Sequence, residues 1–92
     1  MADITHTNVA ELTSAAHVLK TLLNIKFTRA KERHANAMGF SSSNHLLAEV
    51  KNTPVTRSFE QYIDNLKTEL HKQHQLTLDD QQISQLREQL CN

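Results

Sequence analysis

Ninety-two residues suit one domain rather than two, and a chain this short buries only about 60–65% of its unfolded surface, so one core closes with little to spare. Lysine plus arginine equals aspartate plus glutamate at ten each, which excludes a strong overall field on a polyanion. A single cysteine excludes an internal disulfide, and no apolar run approaches the roughly 20 residues that cross a bilayer.

One glycine and one proline leave few turn signals, so helical periodicity dominates and predicts an all-α bundle of about five short helices. The first helix is expected from Asn8 to Leu23, with Asn8 as N-cap and Glu11 at the capping-box position. Val9, Leu12, Ala16, Leu19 and Leu23 form one apolar stripe, and Ala15, Val18, Leu22 and Ile25 form a second beside it. Asn24 then permits a left-handed turn, and Thr28 is expected to cap a second helix from Arg29 to Met38. Gly39 follows as the residue that ends that helix in a left-handed conformation, with Phe40 the expected apolar plug beneath the turn. Ser41, Ser42 and Ser43 offer N-caps for a third helix reaching Val50 or Lys51, whose inner face is Leu46, Leu47 and Val50.

Asn52, Thr53 and Pro54 break the chain, because proline disfavours helix in the residue before it. Residues 1–92 are thus expected as one domain, with a three-helix unit over 8–51, a linker over 52–55 and a helical hairpin over 56–91. The fourth helix is expected to start near Thr56 or Ser58 and to run to about Gln73. Its stripe of Phe59, Ile63, Leu66 and Leu70, widened by Tyr62, exceeds what one neighbour covers, and is therefore the expected interface of a homodimer. Thr77 is the expected cap of the fifth helix, whose apolar side is Ile83, Leu86 and Leu90.

Chemistry finds little footing in these residues. His71 and His74 stand three apart on one helical face but lack a third ligand at metal spacing, so no metal and no cofactor is expected. His34, among Ala30, Ala37 and Met38, reads as a buried, hydrogen-bonded histidine rather than a ligand. There is no phosphate loop and no nucleophile elbow, and Cys91 sits at the end of the chain without a preorganised partner, so no enzyme is expected. The lone thiol and the lack of a signal-peptide apolar region make the cytoplasm the expected setting, with no membrane partner.

Charge is uneven along the chain: residues 1–55 carry six basic and four acidic side chains, and residues 56–92 carry four basic and six acidic ones. Lys26, Arg29, Lys31 and Arg33, opposed by Glu32, form the densest basic cluster. Residues 29–50 have a helix–turn–helix outline, with Ala35 four residues before Gly39. The second helix, however, has His45 where an apolar anchor normally falls and lacks a cation until Lys51. DNA binding, with the four basic residues on phosphates, is thus the alternative to protein binding.

Across residues 15–51, Ala35, Gly39, Phe40, Asn44 and Ala48 fit a signature A-x-x-L-G-[FY]-x-[SN]-x-N-x-L-x-A, with Met38 in place of its first leucine and Leu47 directly after the position of its second. The chain there resembles a small α-helical module of plasmid- and phage-borne proteins and of appendages on proteins labelled glyoxalase superfamily. The resemblance implies a packing unit from a mobile element, with no catalytic residues to transfer. The expected function is accordingly that of a non-enzymatic helical interaction or regulatory module that self-associates.

Overall fold

The computed structural model describes residues 2–91. Five helices run in chain order: α1 (Val9–Leu23), α2 (Phe27–Ala37), α3 (Ser43–Asn52), α4 (Phe59–His74) and α5 (Asp80–Leu90). They are joined by a two-stranded antiparallel ribbon, β1 (Asp3–His6) with β2 (Val55–Ser58), in which Ile4 faces Arg57 and His6 faces Val55. The all-α bundle expected from periodicity is what forms, with this ribbon as its one addition. Each strand is four residues long and its partner lies about fifty residues away, so neither carries a local signal.

Most helix ends obey the local chemistry of their residues. Asn8 caps α1 through its side chain onto the Glu11 amide, and Asn24 closes it with φ 55°. Ser42 caps α3 and Ser58 caps α4, each accepting from the amide three residues on. Gly39 adopts φ +94°, and its turn is the Schellman arrangement: the Gly39 amide donates to Asn36 and the Phe40 amide to Ala35. A side chain on Gly39 would also meet the Arg57 guanidinium, 2.5 Å from where a Cβ would stand.

Three boundaries differ from expectation. Thr28 does not cap α2, which begins at Phe27 after an extended Lys26, because the Phe27 ring packs on His17 with centroids 4.5 Å apart and anchors the first turn. Thr77 does not cap α5; Asp79 does, in a reciprocal capping box with Gln82 at 2.7 and 3.1 Å. The connection expected over 52–55 is shorter, Thr53 and Pro54 alone, since Asn52 completes α3 and the buried Val55 opens β2.

Packing gathers around α2, which touches α1 on one side, α4 on another and α3 at its end. Asn65 donates to the Ala37 carbonyl at 3.1 Å and Arg33 pairs with Glu69 at 3.6 Å, so α2 and α4 run antiparallel. The segment 56–91, expected as a helical hairpin, folds back on the first unit instead: α4 lies mainly on α2, and α5 mainly on α1. Ile4, Leu19, Met38, Tyr62, Leu66, Leu70 and Leu86 are fully buried at the centre. Phe40, the expected plug, is only half-buried and lies edge-on to His45 at 5.1 Å. Met38 takes the core position, because it sits one helical turn beyond His34 on the inward face before the glycine redirects the chain.

Candidate functional site

One strand and two helices bring together a polar chain that no sequence spacing announces. His34 lies on the inward face of α2, Tyr62 comes one turn into α4, and His6 ends β1. His34 Nδ1 is 2.7 Å from the Tyr62 hydroxyl and His34 Nε2 is 2.9 Å from His6 Nε2, all inside the core. The Tyr62 proton has no other acceptor among the described residues, which assigns the direction of the chain. Tyr62 O–H donates to His34 Nδ1, and His34 Nε2–H donates to His6 Nε2. The proton then left on His6 Nδ1 has no partner among the described residues.

Burial controls the electrostatics of the chain. Desolvation, helped by the charge His6 would carry, pushes the His34 imidazole down to about 3, so it is neutral at physiological pH. Desolvation also lowers His6, against an opposing pull from Glu11. Burial, with a smaller push from Cys91, raises the Tyr62 phenol well above its ordinary value. His34 was expected as a buried, hydrogen-bonded histidine, and it is one. Its partners were not legible, because they lie 28 residues away in each direction.

His34 also forms the floor of a cleft of about 110 Å³ between α1, α2 and α3. Val9, Leu12, Leu46 and Leu47 supply apolar walls, while Thr13, Lys31, Ser43 and Asn44 supply polar edges. Glu32 positions the α3 wall by accepting from the Ser43 hydroxyl at 2.7 Å and from its amide at 3.3 Å. Val9, 41% exposed at the rim, is the large hydrophobic residue that the fold leaves open among the described residues. Both His34 nitrogens are occupied within the core, so the cleft meets the ring and not a free base.

The expected interface is not at the surface. Phe59, Tyr62, Ile63, Leu66 and Leu70 are all buried within one copy of the chain, against α2 and the ribbon. The stripe is wider than α2 alone covers, and β2 supplies additional cover. The basic cluster divides as well. Lys26, Arg29 and Lys31 are exposed, but Arg33 is buried against Glu69 and is withdrawn from any flat surface. Lys31 lies over the Phe27 ring at 5.8 Å and borders the cleft. Of the turn residues, Gly39 and Asn44 are exposed and Phe40 and Leu47 are half-buried. His71 is exposed and His74 half-buried, and among the described residues no group of three or more His, Cys, Asp or Glu is arranged to hold an ion. No helix among those residues is long and apolar enough to cross a membrane. No family model, no curated protein and no solved structure matches this chain.

Proposed function

We propose that this chain is a non-enzymatic interaction module whose cleft between α1, α2 and α3 receives one apolar side chain of an acidic partner peptide. The observation that carries this reading is the pairing of an open apolar cleft with Val9 exposed at its rim. Its volume is of the order of the dry cavities of about 150 Å³ that take a benzene-sized guest. Lys31 is the one charged residue in the lining, which favours a carboxylate beside the inserted side chain. The occupied nitrogens of His34 support a binding role over a catalytic one. The half-buried free thiol of Cys91 fits a reducing, cytoplasmic setting.

Selection of random twelve-residue peptides on the immobilised protein, followed by methyl NMR of the winners, tests the proposal. Selected peptides are expected to share one large aliphatic or aromatic residue next to Asp or Glu, and to shift the methyl signals of Val9, Leu12 and Leu47. Val9→Asp should abolish those shifts and Lys31→Glu should weaken binding at least fivefold. Peptides that shift methyls elsewhere, or none that bind, would overturn it. The same shifts appearing with protein concentration alone would assign the cleft to a second copy of the chain. DNA binding is the runner-up, supported by the exposed Asn44, His45 and Lys51 on α3 after a tight turn. Duplex-induced shifts confined to that helix would promote it.

A further inference from the structure

At the opposite end of α2 from the Gly39 turn lies a group of cationic side chains with fewer acceptors than donors. The register of the antiparallel α2–α4 pair is set by Asn65 on Ala37 and by Glu69 on Arg33, four residues further along each helix. One more turn of each helix therefore brings Gln73, and with it His74, the last residue of α4, beside Arg29 near the start of α2. Arg29 and Arg33, four residues apart, share a face of α2. Helical side chains lean as a rule toward the N-terminus of their helix, which for Arg33 is this same end.

Arg33 is an unusual occupant. Its side chain is only 9% exposed, and neither Nε nor Nη1 has a hydrogen-bond partner among the described residues. The Glu69 carboxylate is 3.6 Å from Nη1, an ion pair too long to be a hydrogen bond. His74 Nε2 is likewise buried without a partner. After desolvation, the guanidiniums of Arg33 and Arg29 push the His74 imidazole below its ordinary value, in keeping with a helix register that sets the three residues at one end of the α2–α4 pair. The N-terminus of α2 adds further donors of the same sign. Lys26 provides no side-chain cap and the first turn contains no acidic residue, whereas Asn8, Ser42, Ser58 and Asp79 cap the other four helices. The carbonyls at the adjoining end of α4 do not offset this fully, since those of Leu70 and His71 already accept from Leu76 and Gln75.

We infer that Arg29, Arg33, His74 and the open first turn of α2 form a binding site for a tetrahedral oxyanion, phosphate or the phosphoryl group of a small monoester. Such a ligand supplies three or more acceptor oxygens where the chain supplies unpaired donors, and the Arg33 guanidinium can turn from Glu69 to meet it in a forked geometry. Lys31 takes no part, because it faces the cleft. The site is independent of the peptide cleft and can stand or fall without it.

Titration of the protein with inorganic phosphate, followed by amide and imidazole NMR, tests the assignment at constant ionic strength set with chloride. Saturable shifts are expected at the amides of Phe27, Thr28 and Arg29, together with a rise of at least half a pH unit in the His74 titration midpoint. Arg29→Gln, an exposed change that leaves the core intact, should weaken phosphate at least fivefold, and Arg33→Gln should remove saturation. A parallel titration with a nucleoside 5′-monophosphate distinguishes the sources. Tighter binding than inorganic phosphate, with added shifts beside the site, assigns an organic phosphoryl ligand; equal binding assigns the free ion. Shifts matched by chloride alone, or phosphate binding unchanged in Arg29→Gln, would overturn the site. Duplex DNA that binds with steep salt dependence while phosphate does not would replace it with a polyanion surface.

Discussion

The two polar clusters on α2 differ in how burial is tolerated. His34 is inside the core, yet it is neutral and both of its nitrogens are engaged. Arg33, one residue earlier, is almost as deeply placed but keeps its charge, and its donors outnumber its acceptors. A neutral imidazole can be satisfied by two well-placed partners. A guanidinium has five N–H donors and cannot discharge itself, so the same burial leaves it short. The first cluster therefore fastens the core, whereas the second retains N–H donors for the proposed oxyanion.

The strongest way to break this contrast is His34→Leu. Removing the middle of the chain strands the Tyr62 hydroxyl and His6 Nε2, two buried groups at about 1–3 kcal/mol each, partly offset by leucine's apolar burial. A net loss of about 2–4 kcal/mol is expected from urea unfolding, and a loss under 1 kcal/mol would mean that the chain does not fasten the core.

Acid sharpens the comparison next. His34 titrates near 6.5 when unfolded and near 3 when folded, so between those values the unfolded chain binds more protons. Stability should be full above about pH 6.5 and should fall as pH drops toward 3, by about 1.4 kcal/mol per pH unit for one proton. His6, also lowered, steepens the same limb. Urea midpoints at several pH values between 7.5 and 4.5 measure the slope, and a flat profile would contradict the neutral, buried assignment.

The smallest effect belongs to Arg33→Met. The apolar replacement removes unpaired donors along with the ion pair, and Glu69, whose side chain is 24% exposed, keeps access to water. A change within about 1 kcal/mol is expected in the same urea assay. A loss as large as that of His34→Leu would show that Arg33 is a fastening too, and would dissolve the contrast.

How much of this could be read from the residues depends on the range of the interaction. The helix ends at Asn8, Asn24, Gly39, Ser42 and Ser58 were legible because capping is settled within three or four residues. The apolar stripes gave the helices for the same reason. Asp79 rather than Thr77 caps α5, and the Asp79-to-Gln82 spacing carries the capping-box signal for it. The burial of His34 is legible from its apolar neighbours, whereas its partners His6 and Tyr62, each 28 residues away, leave no local signal.

Taken alone, the sequence determined the helical class, the number of helices and most of their ends, since these follow from periodicity and from hydrogen bonds made within a turn. Tertiary structure decided which stripe is covered. The ribbon of Asp3–His6 with Val55–Ser58 helps to enclose the stripe of α4 that looked like an interface, and no local pattern encodes a pairing across fifty residues. It also decided that Arg33 turns inward while Arg29 stays out, although both belong to one basic run. Charge is a property of the residue, but its availability depends on the neighbours that folding brings beside it.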